Sequence, residues 1–320
     1  MPPVFTFGFT VTTDFGSDTI EDQTRVLSLL NGSGDGYFIE FRSSAKQFAL
    51  VKRDNGIDTS VLSPPMSFNR GATIGFAIQQ THSELRLFVV RPRALVINFD
   101  DGKESVYTAG YPIMKPYGIP GTFYVITDSV GTEGWCSTQQ LRELKEAGWV
   151  IANHTKTHPY LDTLSESEQL EEIRGSMDWL EQRGLDHDII ATPHGNFNQT
   201  TLKIFRDLGV RMHRNYSQVV DVWPLSDRYY LSGKGVNNVD TPEDVNAIID
   251  AAMEEGKVLN LTFHYISTGS AATEYHPDKF RQVIEHVVER GYPCYTVADL
   301  AVAHERRRLL GKVEHSRSEE

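Results

Sequence analysis

Two adjacent carboxylates end an apolar run in the first third of the 320-residue sequence. Residues 96–102 read VINFDDG, so Asp100 and Asp101 follow a stretch typical of a buried strand and precede a glycine. Burying an unpaired carboxylate costs free energy, so both need partners if they lie inside the protein. A surface turn is the simpler interpretation, because Asp-Gly is a common turn pair. A metal site is the alternative, and it requires further ligands elsewhere in the chain.

Residues of the ligand type follow three later apolar runs. His154 comes directly after WVIAN and lies four residues before His158. The Pro193–Gly195 segment follows DIIAT, and His264 follows KVLNLTF. Two histidines four residues apart can share one face of a helix or turn and bind one metal ion, and one carboxylate completes a two-His-one-carboxylate site. Zinc is a natural occupant, because it lowers the pKa of bound water to ~7.

The remaining polar residues fit a hydrolytic reaction. The second carboxylate of the pair can take a proton from the activated water, and His264 can protonate a leaving group from the opposite wall. An activated nucleophile, a base and an acid together indicate a hydrolase. Taken alone, His264 could equally be a hydrogen-bonded histidine of the core, so this interpretation requires all four segments to meet in one cleft.

The sequence after residue 93 has the periodicity that would bring these segments together. Seven short β-rich runs alternate with amphipathic helices, which predicts a parallel sheet. Seven such strands over about 220 residues predict a closed or nearly closed barrel, in which active sites lie at the carboxyl ends of the strands. An open doubly wound sheet is the alternative. No G-x-G-x-x-G or Walker pattern follows any strand, so nucleotide binding has no support.

Local signals mark the predicted helix ends. STQQLRELKEAG begins with a Ser-x-x-Gln capping pattern and ends at Gly148, whereas TPEDVNAIIDAAMEEG has Thr241 as N-cap and ends at Gly256. The intervening segment SESEQLEEIRGSMDWLEQRG predicts one apolar face, which consists of Leu170, Ile173, Met177 and Leu180.

The first part of the chain has a two-residue period instead. Alternating apolar residues in FTFGFTV and YFIEF, with turn clusters such as NGSGDG, predict a small antiparallel β-sandwich. This segment loosely resembles laminin-G or concanavalin-like jelly rolls, which implies sugar binding. A structural module, or one that forms a homo-oligomer, is the alternative. We therefore expect a sandwich over residues 1–93, a catalytic barrel over 94–312 and a solvated tail over 313–320.

Four motifs carry a resemblance to a known family. NFDDG, NHTKTH, ATPHGNFN and LTFHYI, in this order and spacing, resemble the motifs of the polysaccharide deacetylases of carbohydrate esterase family 4, the NodB homology domain. The resemblance covers residues 94–302 and implies a distorted (β/α)7 barrel. It also implies removal of acetyl groups from N-acetylglucosamine polymers such as chitin, peptidoglycan and poly-N-acetylglucosamine, or of O-acetyl groups from xylan. The expected cofactor is one divalent metal ion, zinc first, with cobalt or nickel as alternatives.

The resemblance assigns roles to individual residues. Asp100, the first aspartate of its motif, corresponds to the catalytic base. Asp101 corresponds to a metal ligand, together with His154 and His158. His264 corresponds to the catalytic acid.

The same resemblance predicts substrate-binding positions. Thr155 matches the Ser/Thr position of the histidine motif, and the turn formed by Pro193, His194 and Gly195 is expected to line the groove and help hold the oxyanion. Two positions depart from the family. Ala191 stands where many members have an arginine that steadies the catalytic aspartate, and His194 replaces a common aromatic residue.

A second class of function stays open at the sequence level. A barrel that has lost its activity would be a carbohydrate-binding or virion-adhesion protein, and Ala191 is the feature that favours this alternative. Retention of both aspartates and of the motif histidines favours the enzyme. The carboxylate partner of His264 is not evident from the motifs, and Asp240 is the candidate.

Composition excludes several partners. The net charge of −12 argues against a nucleic-acid partner, which requires clustered Lys and Arg. No apolar run reaches membrane-spanning length. Cys136 and Cys294 are far apart and form no C-x-x-C pair, so two reduced thiols are expected, with one long-range disulfide as the alternative.

The N-terminal sequence bears on location. MPPVFTFGFTV has neither a basic n-region nor a long apolar h-region, so no secretory signal is predicted. A sandwich joined to a deacetylase without such a signal resembles some phage tail-associated enzymes. We therefore expect an extracellular or virion-associated protein that acts on an acetylated polysaccharide.

Overall fold

The computed structural model describes most of the chain from Arg93 onward and separate segments before it. The described ranges are 5–12, 24–30, 36–42, 47–55, 57–62, 73–80, 85–90, 93–221, 225 and 227–304. The chain divides into two compact units, Met1–Pro92 and Arg93–Glu320. The predicted tail over residues 313–320 lies outside the described residues.

The first unit consists of antiparallel strands where it is described. They are β1 (Phe5–Thr12), β2 (Thr24–Leu30), β3 (Gly36–Arg42), β4 (Gln47–Asp54), β5 (Ile57–Leu62), β6 (Thr73–Gln80) and β7 (Leu85–Val90). Strands β1, β6 and β7 form one sheet in the order β1-β6-β7, and β2 to β5 form another in sequence order. Antiparallel pairing agrees with the alternation in the sequence. The sandwich itself stays a prediction.

The second unit is built on a parallel sheet. Its strands are β8 (Ala94–Phe99), β9 (Thr122–Val125), β10 (Val150–Asn153), β11 (Asp186–Ala191), β12 (Met212–Asn215), β13 (Leu231–Ser232), β14 (Lys234–Gly235), β15 (Val258–Phe263), β16 (Tyr265–Ile266), β17 (Glu274–Tyr275) and β18 (Cys294–Tyr295). The main sheet runs in the order β13-β12-β11-β10-β9-β8-β15-β14, and β18 also pairs with β8. Its two ends, β13 and β14, are separated only by Gly233. The second unit is therefore a nearly closed α/β barrel, which confirms the barrel predicted for this part of the chain.

All seven β-rich runs of the sequence form strands of the main sheet, and two further strands of that sheet were not predicted. Strands β13 and β14 have two residues each, too few to show an alternating pattern. They nevertheless bring the two ends of the main sheet together. Their position depends on pairing with β12 and β15, which lie far away in sequence.

Helices cover the sheet at the expected positions. They are α1 (Tyr111–Met114), α2 (Thr138–Glu146), α3 (Glu166–Glu181), α4 (Gln199–Asp207), α5 (Pro242–Glu254) and α6 (Pro277–Glu289), with a π-helical segment at Val106–Gly110 and 3-10 turns at Lys115–Tyr117, Thr127–Ser129, Leu161–Thr163 and Pro193–Gly195. Ser137 and Gln140 form the predicted capping box of α2, and Thr241 caps α5. No helix among the described residues is long and apolar enough to cross a bilayer.

The predicted buried face of α3 needs one correction. Ile173, Met177 and Leu180 are buried, whereas Leu170 is 37% exposed. The spacing placed Leu170 on the apolar side, but it lies near the start of the helix, where the neighbouring Gln169 is buried instead. The Gln169 side chain donates to Leu164 O and accepts a hydrogen bond from the Thr201 hydroxyl, so a polar contact takes the position that an apolar one was expected to fill.

An aromatic core supports the strand that ends in the two aspartates. Phe99, the last residue of β8, stacks on Trp149 with ring centroids 5.4 Å apart and contacts the rings of Phe263 and Phe280 at 5.8 Å. A Cβ atom at Gly121 would lie 2.7 Å from the Trp149 ring, so glycine is required there. Because Phe99 is held on several sides, the backbone direction into Asp100 is fixed by the core.

Candidate active site

One cavity lies at the carboxyl ends of the barrel strands. Its volume is about 540 Å³. It is lined by Asp100, Asp101, His154, His158, Thr192, His194, Gly195, Arg214, Tyr216, Gln218, Asn237, His264 and Thr273. The four motifs of the sequence therefore meet at one face of the barrel, as the fold requires.

Three of these residues form a potential metal centre. One ligand atom from each of Asp101, His154 and His158 lies within 4.8 Å of the others. The Asp101 Oδ1 atom is 3.7 Å from His154 Nε2 and 3.5 Å from His158 Nε2. Ligand atoms about 2.0–2.2 Å from one tetrahedral ion lie about 3.4 Å apart, so these separations fit a single divalent cation. No other group of this kind occurs among the residues that the structure describes.

Hydrogen bonding leaves a lone pair of His154 directed at this centre. His154 is buried, and its Nδ1 atom lies 2.9 Å from Ala191 O, which can only accept. Nδ1 therefore carries the proton, and Nε2 faces Asp101 with its lone pair. Burial lowers the pKa of His154, and burial together with the neighbouring His154 lowers the pKa of His158 to about 4. Both imidazoles are therefore neutral at pH 7, which is the form that binds a metal.

Helix α3 holds the loop between the two histidines. The Glu172 carboxylate accepts hydrogen bonds from the backbone N–H groups of Lys156 and Thr157, at 3.0 and 2.8 Å, and from the Thr157 hydroxyl at 2.7 Å. Inside the loop, the His158 N–H donates to the Thr155 hydroxyl at 3.1 Å. These bonds fix the distance between the two imidazoles.

Asp100 is paired with a buried arginine that the motifs did not identify. Arg214, on β12, donates from Nη2 to both carboxylate oxygens of Asp100 at 2.6 Å. Both side chains are almost fully buried, with Arg214 1% and Asp100 4% exposed. Burial raises the pKa of Asp100, but the charge of Arg214 and its hydrogen bonds to the carboxylate act against burial, and the pKa lies below its usual value. Asp100 is therefore an anion at neutral pH.

Arg214 supplies to Asp100 a guanidinium of the kind that the sequence comparison expected at the position of Ala191. Strand β11 ends at Ala191, and Ala191 pairs with Arg214 on the adjacent β12. The positive charge thus reaches Asp100 from the neighbouring strand. The sequence signal was Arg214 itself, which lies inside the β-rich run GVRMHRN. An arginine at a buried strand position requires an anionic partner.

His264 lines the cavity beside Asp100. Its Nε2 atom is 4.0 Å from Asp100 Oδ2, and its side chain is 19% exposed. The candidate partner Asp240 does not bind it: the Asp240 carboxylate accepts from the Asn237 N–H at 2.7 Å, and His264 Nδ1 has no hydrogen-bond partner among the described residues. The expectation of an Asp240–His264 pair was therefore wrong, because Asp240 closes its own turn ahead of α5.

The predicted substrate-binding residues are divided between the cavity and its support. His194 and Gly195 line the cavity, whereas Thr155 and Pro193 are buried and lie outside its lining. The Gly195 N–H donates to Thr192 O at 3.1 Å, so it is already bonded within the turn. His194 stacks on the ring of Tyr160 with centroids 3.9 Å apart and planes inclined by 8°. An exposed aromatic pair thus forms one rim of the cavity beside His158.

Backbone strain is concentrated at this site. Six described residues other than glycine have positive φ, and five of them lie at the cavity or in its supporting loop: Asp101, Thr155, His158, His194 and Gln218. Thr155 is β-branched, for which the left-handed conformation is especially costly. Strain of this kind persists where surrounding contacts over-determine the backbone, which is common at functional sites.

Four further cysteine and histidine side chains lie outside the proposed metal cluster. Both cysteines are free thiols, and burial raises the pKa of Cys136 and of Cys294 to about 12. His276 caps α6, because its Nδ1 atom accepts from the Asp278 N–H. His213 is buried against Thr192 and Tyr229 O, and burial lowers its pKa to about 3. It is a neutral histidine that orients the Thr192 hydroxyl at the cavity wall.

The chain is similar to known deacetylases over part of its length. Residues 89–213 match the family model described as polysaccharide deacetylase. The Bacillus subtilis (strain 168) protein YxkH is 31% identical over 121 residues, which cover 38% of this chain and 43% of YxkH. The poly-beta-1,6-N-acetyl-D-glucosamine N-deacetylase of Staphylococcus aureus is 29% identical over 154 residues, which cover 43% of this chain and 53% of that protein. The chain spans about half the length of these curated relatives.

Two solved structures are similar as well. The Streptococcus pyogenes deacetylase PplD, in complex with acetate, is 27% identical with a TM-score of 0.46, and the match covers 48% of this chain and 69% of PplD. The peptidoglycan deacetylase PdaC of Bacillus subtilis is 20% identical with a TM-score of 0.48, and the match covers 70% of this chain and 96% of PdaC.

Proposed function

We propose that this chain is a metal-dependent hydrolase that removes acetyl groups from a polysaccharide containing N-acetylglucosamine. The observation that carries the proposal is the joint arrangement of the Asp101–His154–His158 cluster and the Asp100–Arg214 pair on one cavity. The match of residues 89–213 to polysaccharide deacetylases supports the same reaction class. Removal of O-acetyl groups would use the same groups in the same way.

The donor set fits a divalent cation, with zinc as the first candidate and cobalt or nickel as alternatives. Asp101, His154 and His158 would hold it, which leaves positions for water and substrate. When bound, the cation would polarise the acetyl carbonyl and lower the pKa of water. The remaining steps belong to side chains of this chain.

Asp100 and His264 move the protons. Asp100 accepts one proton from the attacking water, whose oxygen forms the new bond to the acetyl carbon. His264, in its protonated form, donates a proton to the sugar nitrogen as the carbon–nitrogen bond breaks. The products are acetate and a free amine. Exchange with solvent then removes the proton from Asp100 and returns one to His264.

Arg214 makes Asp100 suitable as a base. Without a positive neighbour, burial would favour the protonated acid, which cannot accept a proton. The guanidinium keeps the carboxylate ionised and fixes its direction through two hydrogen bonds. This contact also weakens the case for an inactive carbohydrate-binding protein, since Ala191 was the feature that favoured it.

The substrate class also implies a location. The Staphylococcus aureus relative is named for poly-beta-1,6-N-acetyl-D-glucosamine and PdaC for peptidoglycan. For this chain we propose a related acetylated polymer, which places the protein at its substrate outside a cell.

Acetate release tests the proposal. Purified protein is treated with a chelator and then supplied with zinc, cobalt or nickel. Its activity is measured on N-acetylglucosamine oligomers, peptidoglycan, acetylated xylan and poly-N-acetylglucosamine. We expect release from at least one N-acetylated polymer, loss on chelation and recovery on metal addition, with Asp100→Asn as the inactive control. No release from any glycan by metal-loaded protein, or release that survives chelation, would overturn the proposal.

A further inference from the structure

The wall beside His264 carries a tyrosine fixed between two glycines. Tyr216 lines the cavity, and its ring lies at 77° to the imidazole of His264 with centroids 6.5 Å apart. A Cβ atom at Gly195 would lie 2.7 Å from Tyr216 Cβ, and one at Gly235 would lie 1.7 Å from the Tyr216 hydroxyl oxygen. Both glycines therefore provide the space that this side chain fills. The hydroxyl group is held at one position rather than free to sweep through the cavity.

Gln218 is held beside that hydroxyl by its backbone and by its own carboxamide. Its φ of 61° lies in the left-handed region, which is strained for glutamine, and its N–H donates to Gly233 O at 3.1 Å. The carboxamide oxygen accepts from the Gly235 N–H at 3.0 Å. With the oxygen occupied, Nε2 is the part of the carboxamide that remains for Tyr216. A Cβ atom at Gly235 would lie 3.2 Å from Gln218 Nε2 as well as 1.7 Å from the Tyr216 oxygen, so the two groups adjoin.

The chemistry of these two groups leaves the tyrosine proton available. An amide nitrogen can only donate, so Tyr216 can meet Gln218 Nε2 only with its oxygen as the acceptor. Its own proton must then point to another acceptor. Burial raises the pKa of Tyr216, so the hydroxyl keeps its proton at neutral pH. The Gly235 N–H thus holds the Gln218 carboxamide, whose nitrogen adjoins Tyr216.

The neighbours of Tyr216 indicate which part of a substrate it meets. The metal cluster and Asp100 act on the acetyl carbon, whereas His264 protonates the atom that remains on the sugar. Tyr216 lies beside His264, and therefore on the sugar side of the bond that breaks. Asn237 and Thr273, which also line the cavity, are neutral hydrogen-bonding residues. A pyranose presents hydroxyl and ring oxygens that match such a wall.

We propose that Tyr216, oriented by Gln218, is a specificity-determining residue that donates a hydrogen bond to an oxygen atom of the sugar carrying the acetyl group. The inference rests on the proposed deacetylase function and extends it to how the sugar is recognised. Tyr216 binds the substrate, whereas Gln218 acts through Tyr216 as a positioning residue. Neither residue belongs to the four sequence motifs.

Two substitutions test this assignment on an N-acetylglucosamine trimer. Tyr216→Phe removes only the hydroxyl, and Gln218→Met removes the carboxamide while keeping the length of the side chain. One neutral hydrogen bond contributes about 0.5–1.5 kcal/mol, so Tyr216→Phe should raise KM and the calorimetric Kd about three- to tenfold, with kcat changed less than twofold. Gln218→Met should act in the same direction, and the double variant should lose no more than Tyr216→Phe alone. Tyr117→Phe, at an exposed residue of another part of the barrel, is the matched control.

The outcomes separate this inference from the proposed function. Unchanged trimer binding by Tyr216→Phe, or additive losses in the double variant, would overturn the role of the Gln218–Tyr216 pair while wild-type acetate release stands. A fall in kcat with unchanged KM would also overturn it, since the hydroxyl would then act in the reaction rather than in recognition. A metal-loaded wild-type protein that neither binds the trimer nor releases acetate from any of the glycans named above would overturn both.

Discussion

At Asp100 the free-energy cost of burying a carboxylate is offset by one guanidinium. The ion pair with Arg214 is shielded from solvent, and breaking such a pair by removing one partner commonly costs about 3–5 kcal/mol. Its value for function is that the anion stays ionised and points in one direction. The two members lie 114 positions apart in sequence, so only the barrel brings them together.

Replacing Arg214 should separate catalysis from metal binding. We expect Arg214→Met to lower kcat for acetate release by ~10²–10⁴, since the base is no longer held ionised, whereas Arg214→Lys keeps the charge and should recover part of the rate. Metal content should stay at the wild-type level in both, because Arg214 touches none of the proposed ligands.

The control for this prediction is Arg211→Met. Arg211 forms an equally short pair with Asp188, but both lie outside the cavity lining. It should retain wild-type kcat. Equal losses in Arg211→Met and Arg214→Met, measured on folded protein, would mean that the effect reflects general stability rather than the state of Asp100.

At the scale of elements, α3 supports the proposed metal centre without contributing a ligand. Glu172 binds the backbone of the His154–His158 loop, whereas its neighbour Glu171 only forms an ion pair with Lys156 and is 69% exposed. The two glutamates differ by one position on the same helix. One supports the loop and the other lies in solvent.

Glu172→Ala should therefore weaken metal binding, and Glu171→Ala should not. Loss of a group that orients metal ligands commonly costs about 10–100-fold in affinity, and we expect a loss of this size in a competition titration with a chromophoric chelator. Exposed ion pairs contribute little, so Glu171→Ala should bind metal as the wild type does. Equal affinities in the two variants would show that α3 does not control the loop.

The sequence predicted those features that depend on neighbouring residues. The capping box of α2, the N-cap of α5 and the β-rich runs of the barrel are local, and the structure has them at the expected positions. Contacts between distant segments were missed. Arg214 reaches Asp100 through pairing of β11 with β12, and the two-residue strands β13 and β14 form only where β12 and β15 are already in place. Leu170 was misplaced for the same reason, because a polar contact with α4 decides that position.

At the scale of the whole molecule, the chain divides into a unit of antiparallel strands and the barrel unit. The residues that line the cavity all belong to the second unit. We therefore expect residues 94–312, produced without 1–93, to fold and to release acetate from soluble oligomers at a rate within a few-fold of the full chain. Circular dichroism melting confirms folding, and acetate release reports the site. A truncated barrel that melts cooperatively yet is inactive on these substrates would mean that the first unit completes the active site.

The central claim is that adjacent aspartates have different functions: Asp101 binds a cation and Asp100 accepts a proton. Metal titration of Asp100→Asn and Asp101→Asn, run together with acetate release, tests it most directly. Asp100→Asn should bind about one equivalent of metal with wild-type affinity and lose ~10²–10⁴ in rate, because an amide cannot serve as the base. Asp101→Asn should bind metal weakly and regain part of its rate in excess metal. Rescue of Asp100→Asn by metal, or the same behaviour in both variants, would contradict this division of function.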